Sequence, residues 1–411
     1  MFRMGIMGGS TKSGRAFLAK NILRDDVVMY GYARESAHGK EFVEGVKDQG
    51  GIWVEWAPWF QKEPQFAQIS DPHYLGHNIQ ALMDADVIFL SHPTIYHEES
   101  VRKLCSAGLL KRNIPLVLPP SRTLGSPYLW RVLVEEGYPE SEMRRRGYPI
   151  ISLGTCPYAA KAKGPNVFIK GEKEVVIGSL DAPMDAWVLK QFYKVYPQVH
   201  MNTVPGTSSL GNIGAVVHMA YVLNWDEIDR IQSFYKDGIA ARPWVAAKLE
   251  DIDKTRLEIA LAVGGMEVFG HPDNPREEEW LEIVCDVREH NGSLQGANYV
   301  MSTQYWLAMT YGIYEAVGKS LQQAIAATYV YGGESTPTPR YLEDSYTGLV
   351  PLEALAKRSA VNHITVTEII DMHGKKIGKD PRLDGRNLEG FDTEYLIHYL
   401  QGALYGGRYG T

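Results

Sequence analysis

Short apolar runs alternate with longer amphipathic stretches over the first half of the chain, the pattern of strands each followed by a helix. Phe2 to Met7 predicts a buried strand, followed by a glycine turn and a helix from Gly14 through Leu23. Val27 to Tyr32 and Val87 to Leu90 predict two more strands. A helix running through Ala107 then leads to a strand at Pro115 to Leu118. Ile150 to Leu153 and Val175 to Ile177 read as later strands, and Trp187 to Val195 as a helix. Between Gly50 and Leu82 the periodicity breaks down in a stretch rich in tryptophan and proline (Trp53, Trp56, Trp59, Pro58, Pro64, Pro72), read as an insertion or an elaborated edge.

The pattern changes at Pro205-Gly206-Thr207-Ser208-Ser209. Beyond it the apolar spacing is helical, over Asn212 to Asn224, Ala246 to Val263, Gln304 to Gly312, Gly318 to Thr328, Leu352 to Arg358 and Thr365 to Met372. An α/β domain over 1–204 followed by an all-α domain over 205–411 is therefore expected. A cleft between the two is the natural place for a small-molecule substrate.

Length agrees with two domains, since 411 residues exceed what one core usually accommodates. The net charge of −7 offers no general attraction to nucleic acid or to an anionic membrane. No apolar run reaches the roughly 18 residues of a membrane helix, so none is expected. Met1 to Met7 runs straight into Gly8 and Gly9 without a basic flank or cleavage site, so it does not read as a signal peptide. Three scattered cysteines (Cys105, Cys156, Cys285) fit a reducing cytoplasm and no catalytic thiol. His73 and His77 have helical spacing for a metal but no third ligand, and are read as surface residues.

The candidate chemistry begins at Gly8-Gly9-Ser10-Thr11-Lys12-Ser13-Gly14. A dinucleotide's pyrophosphate needs a tight turn, close approach of backbone amides and a helix N-terminus aimed at its charge. Gly9 supplies the turn, Gly14 the close helix–strand packing, and Ser10 and Thr11 the backbone between them. Thr11 stands where the usual fingerprint has its middle glycine. An ordinary glycine-rich turn is the alternative. At the end of the second strand, Arg34, with Ser36 and Lys40, suits a ribose 2′-phosphate, whereas Glu35 favours a free 2′-hydroxyl and Arg34 could instead stack on adenine. NADP is favoured on this reading, with NAD open, and Pro93, after the strand at Val87 to Leu90, joins the candidate cofactor contacts.

In the helical half, His218 shares a helix face with Ala215, Gly214 and Gly211, a strip nearly devoid of side chains. Either a closely packed neighbouring helix or a ligand must fill it. A proline-flanked segment, Arg340 to Pro351, carries Arg340, Glu343 and Asp344. Reduction of a carbonyl or imine needs a proton donor. A histidine oriented by a carboxylate supplies one, and an arginine fork suits a substrate carboxylate. A surface loop with a local Arg340–Asp344 salt bridge is the plain alternative.

These segments, taken with four others, carry a resemblance. Thr155-Cys156-Pro157-Tyr158-Ala159, Asn212 to His218, Phe234-Tyr235-Lys236-Asp237-Gly238, Ile252-Asp253-Lys254-Thr255-Arg256, Arg340 to Pro351 and Gly385-Arg386-Asn387-Leu388-Glu389 occur in the order found in the octopine/nopaline (opine) dehydrogenase family, which the chain resembles along nearly its whole length. The resemblance implies a doubly wound Rossmann domain followed by an all-α domain of the 6-phosphogluconate-dehydrogenase-like type. It also implies an NAD(P)H-dependent reductive condensation of an amino acid, or another amine, with a 2-oxo acid. His218 resembles the family's catalytic histidine, Asp344 its partner and Arg340 the substrate-carboxylate arginine. Asn212 and Tyr158 take substrate positions. Met219-Ala220 and Tyr346 replace prolines usual in the family, the Arg340–Asp344 stretch is a residue shorter, and the tryptophan-rich insertion is new, which marks a divergent member. Two other readings remain: a simple 2-keto or 3-hydroxy acid dehydrogenase using a lysine such as Lys236 or Lys248, and a non-catalytic dinucleotide-binding protein. A cytoplasmic homo-oligomer, most simply a homodimer, is expected.

Overall fold

The computed structural model describes residues 1–70, 73–173, 176–202, 204–211, 214–230, 242–264 and 343–402. They fall into two compact units. One comprises the described residues of Met1–Ser121 and Gly125–Thr203; the other joins Arg122–Leu124 to those of Val204–Leu404.

The first unit is a Rossmann-type α/β layer. Its strands are β1 (Phe2–Met7), β2 (Val27–Tyr32), β3 (Gly51–Trp56), β4 (Gln65–Gln68), β5 (Tyr74–Gly76), β6 (Val87–Leu90), β7 (Leu116–Leu118), β8 (Ile150–Leu153), β9 (Tyr158–Lys163), β10 (Asn166–Glu172), β11 (Val176–Leu180) and β12 (Val199–Asn202). Among the described residues eight of them form one sheet in the order β12-β11-β8-β7-β6-β1-β2-β5. All neighbours run parallel except β8 and β11. Strands buried on both faces favour apolar residues throughout, which is why β6 and β7 are unbroken apolar runs. Strand β8 is interrupted only by Ser152, whose buried hydroxyl donates to Asp181 at 2.5 Å. The helices are α1 (Lys12–Ile22), α2 (Ala37–Gln49), α3 (His97–Ala107), α4 (Leu109–Arg112), α5 (Gly125–Glu135), α6 (Glu140–Arg146) and α7 (Ala186–Val195). Phe17 of α1 lies 5.0 Å from Phe89 of β6, ring centroid to ring centroid, in a core that also takes in Phe192.

The tryptophan-rich segment, read as an insertion or an elaborated edge, contributes strands to both sheets, with β5 at the edge of the first. Its β3 and β4 join β9 and β10 in a second sheet of order β4-β3-β10-β9. Trp56 faces Lys20 and Lys62, each with its ammonium 4.3 Å from the ring centroid, a cation–π arrangement that fixes the indole. His73 and His77 are half-buried rather than surface residues. His73 Nδ1 accepts from the Met29 amide of β2 at 2.9 Å, and His77 Nδ1 lies 2.7 Å from the Ala33 carbonyl.

The described part of the second unit is helical: α8 (Gly206–Leu210), α9 (Gly214–Val217), α10 (Met219–Leu223), α11 (Pro243–Gly264), α12 (Val350–Arg358), α13 (Ile364–Ile377), α14 (Pro381–Asp384) and α15 (Thr393–Leu400). A π-helical turn, Ser345–Leu349, leads into α12. The single helix expected over Asn212 to Asn224 is broken at His218. There the Tyr221 amide bonds the His218 carbonyl three residues back, a tighter turn than the α-helix. The helices expected at Gln304 to Gly312 and Gly318 to Thr328 lie outside the described residues. No described helix is long and apolar enough to cross a membrane.

Candidate active site

Strands β1, β2 and β6 end in register, with Met7 beside Tyr32 and Leu90, so their following turns share one edge of the sheet. Gly8 has φ +95°, and its amide and that of Gly9 both donate to the Tyr32 carbonyl at 3.1 and 2.7 Å. At Gly14 a Cβ would fall 2.1 Å from the Gly8 carbonyl oxygen and 3.0 Å from the Gly9 Cα. Only glycine lets α1 start this close to the turn, which aims the helix N-terminus at whatever the turn holds.

Thr11 explains why the missing glycine is tolerated. It is the N-cap of α1: its hydroxyl accepts from the Gly14 amide at 2.9 Å and donates to the Ser91 carbonyl at 2.6 Å. The side chain is folded into the cap. This cradle fits a dinucleotide pyrophosphate. Ser10 is buried, with its carbonyl accepting from Arg15 Nε at 2.9 Å. Pro93 is half-buried just past β6, beside His92, against whose Cβ a Gly8 Cβ would lie at 3.0 Å.

After β2, Arg34 is exposed and Ser36 caps α2, accepting from the Gly39 amide at 3.2 Å. Glu35, the residue that argued against a phosphate here, is held by Lys40 at 3.1 Å. Arg15 is a residue the sequence reading missed. It is buried over the Phe42 ring at 4.3 Å, and burial lowers its guanidinium to about 10.

Tyr158, expected at the substrate, is a correction. Its ring is buried in the first unit's aromatic core, edge-on to Phe17 at 5.2 Å, and burial holds its phenol well above the ordinary range. The alternating burial along β9 turns it inward, into the aromatic core of the first unit. Asn212 and Arg340 lie outside the described residues.

In the second unit the structure brings together two residues 126 positions apart. His218 Nδ1 lies 2.8 Å from Asp344 Oδ2, with the carboxylate fully buried and the imidazole 21 % exposed. Asp344 is therefore not part of a surface loop. Its other oxygen, Oδ1, is 2.7 Å from Arg122 Nη1, and Arg122 Nη2 is 3.5 Å from Glu343 Oε2. An ionised carboxylate only accepts, so Nδ1 carries the hydrogen and Nε2 is left to take up or release a proton.

Two of the sequence motifs hold this arrangement. Arg256 bonds Asp253 at 2.6 Å and donates to the Leu210 carbonyl at 2.6 Å, fixing the end of α8. Gly385 packs on the π-helical turn, where a Cβ would meet the Tyr346 carbonyl oxygen at 3.0 Å. Arg122 escaped the sequence reading. Its one signal was an arginine in a proline-led segment just past a central strand, the edge where α/β sheets carry ligands.

Residues 206–377 match the family model described as NAD/NADP octopine/nopaline dehydrogenase, alpha-helical domain. The chain is also similar to an opine dehydrogenase of Arthrobacter sp. (strain 1C), 28% identical over 358 residues that cover 84% of each chain. Over its helical half the chain is thus similar to the octopine/nopaline dehydrogenases, and over most of its length to an opine dehydrogenase. Opine dehydrogenases are NAD(P)-dependent oxidoreductases, which the turn at Gly8 to Gly14 suits. Among solved structures, octopine dehydrogenase in complex with NADH and agmatine is 15% identical, covers 98% of this chain and 96% of its own, and has a TM-score of 0.62. NADP+-bound yersinopine dehydrogenase is 14% identical, with 99% of both chains covered and a TM-score of 0.64. At that identity the likeness establishes the shared fold.

Proposed function

We propose that the chain joins an amino acid, or another amine, to a 2-oxo acid and reduces the resulting imine to a secondary amine, a dicarboxylate where the amine is an amino acid. The observation carrying this reading is the 2.8 Å bond between His218 Nδ1 and the buried carboxylate of Asp344. Condensation requires that the amine lose a proton and that the hydroxyl of the adduct leave as water. A histidine titrating near neutrality serves both events, and Asp344 keeps its tautomer fixed between them. His218 is thus assigned the proton at Nε2, Asp344 the orienting role, and Arg340 and Asn212 the substrate carboxylate and its surroundings.

Gly9, Ser10, Thr11 and Gly14 would hold the cofactor's pyrophosphate, with Pro93 beside them. When bound, the nicotinamide supplies the hydride. Arg34 and Ser36 would bind the 2′-phosphate, and with Glu35 engaged by Lys40 the reading favours NADP over NAD. Lys248, a candidate base for a simple keto acid reductase, is paired with Glu368, and Lys236 lies outside the described residues. A cytoplasmic homodimer is part of the same proposal.

Cofactor oxidation across pairs of amino acids and 2-oxo acids, with NADH and NADPH separately, tests the reaction class. Oxidation that requires both co-substrates is expected. Oxidation with a 2-oxo acid alone would make the chain a keto acid reductase.

A further inference from the structure

We infer that Arg122 is a positioning residue that sets the pH at which His218 exchanges its proton, by sharing the Asp344 carboxylate with it. This rests on the assignment of His218 and Asp344 as the proton-handling pair.

One carboxylate serves two partners. Asp344 gives Oδ2 to His218 at 2.8 Å and Oδ1 to Arg122 at 2.7 Å, and Arg122 reaches on to Glu343 at 3.5 Å. Asp344, Glu343 and Arg122 are all buried. With both carboxylates ionised, this four-group array has a charge of −1 when His218 is neutral and zero when it is protonated. Without the guanidinium the two states would carry −2 and −1. Water does little to screen charges this deeply placed, so the cation weakens the hold of the carboxylates on the His218 proton. A bare Asp–His pair would keep its proton to higher pH. By easing that hold, Arg122 helps the imidazole both give up and take back its proton.

The backbone supports a dedicated role. Arg122 has φ +60° and Leu124 φ +55°, a region that side chains disfavour and that persists only where surroundings impose it. Those surroundings are present. The Thr123 amide donates to the Thr347 carbonyl at 3.2 Å, and Arg386 Nη1 donates to the Thr123 carbonyl at 3.0 Å. The Arg386 amide in turn donates to the Tyr346 carbonyl at 2.8 Å. The loop is fastened to the same π-helical turn that follows Asp344.

Several charges on the other packed elements have partners of their own, Asp253 and Arg256 of α11, which pair with each other, among them. Helix α9 has no ionisable residue. Glu353 of α12 pairs with Lys357 and with Arg382 of α14; Glu368 and Lys376 of α13 pair with Lys248 and Asp226. His373 of α13 is buried beside Trp225. Among the described residues, the ion pairs of Asp344 are with His218 and Arg122.

The test uses the full chain carrying Arg122→Gln, Arg122→Lys or Glu343→Gln. Two things are read: the pH dependence of kcat/KM in the reductive and oxidative directions, and the NMR titration of the His218 ring, assigned with His218→Gln. Arg122→Gln should move both profiles and the titration to higher pH by the same amount, about one unit. Arg122→Lys, which keeps the charge, should restore most of the wild-type position. Glu343→Gln frees Arg122 for Asp344 and should shift everything to lower pH, a readout that survives if Arg122→Gln does not fold. A slower enzyme with unshifted profiles and an unshifted titration, in Arg122→Gln or Glu343→Gln, would overturn the inference. Full turnover in His218→Gln would instead defeat the assignment of the pair, and the ring titration would still decide the coupling.

Discussion

Gly348 lies against Ala215 so closely that a Cβ on the glycine would sit 2.5 Å from the alanine Cβ. Ala215 belongs to the strip of small residues ahead of His218, and Gly348 to the π-helical turn headed by Asp344. The strip is thus filled by a neighbouring helical turn, and the missing side chains on both partners let the carboxylate come within hydrogen-bonding distance of the imidazole.

Replacing Gly348 by Ala should force the two segments apart. Turnover is expected to fall on the order of 10- to 100-fold, because misplacing a proton-handling group by about an ångström has that effect. Nucleotide affinity, measured by fluorescence titration, should be unchanged. Unaltered turnover would show that the close approach does not position the pair.

Arg34→Ala should weaken NADPH more than NADH. Loss of a charge-assisted contact to phosphate is worth roughly 1.5–3 kcal/mol, or about 10- to 100-fold in Kd. Equal loss for both nucleotides would move Arg34 from the 2′-phosphate to a general role such as stacking.

The second unit should lose stability in acid in two stages. His373 is fully buried without a hydrogen-bond partner for either ring nitrogen among the described residues, and burial lowers it to about 4. Its contribution is complete above the unfolded pKa of about 6.5 and is lost as pH falls toward 4, some 3 kcal/mol in all. Burial pushes the Glu353 carboxyl up, but bonds from Arg382, Thr367 and Lys357 outweigh it and hold it at about 2. That stabilisation is present above about pH 4.5 and is lost as pH falls toward 2. Urea unfolding followed by circular dichroism across pH 3 to 8 should show the first stage, and His373→Leu should remove it. A wild-type curve flat between pH 6.5 and 4 would contradict the buried neutral imidazole.

Much of this was legible in the residues, for local reasons. The strand–turn–helix at Gly8 to Gly14 depends on backbone freedom that glycine alone supplies, and an unbroken apolar run such as Val87 to Leu90 announces a strand buried on both faces. The second sheet of the tryptophan-rich segment was not, because its β3 pairs with β10, about a hundred residues downstream, and pairing partners leave no local mark. Tyr158 was misplaced because motif order says nothing about which face of a strand a residue takes. Arg122 left only the faint signal of its place after a central strand: what brings it to Asp344 is a left-handed backbone and anchors at Thr347 and Arg386, more than two hundred positions away.

The central claim is that His218 moves the proton in the reaction, and steady-state turnover of His218→Ala alongside its nucleotide affinity tests it most directly. The account predicts a kcat reduced by roughly 100-fold or more, the usual worth of a general acid–base group, with NAD(P)H bound as tightly as by the wild type. Near-normal kcat in that variant would contradict it.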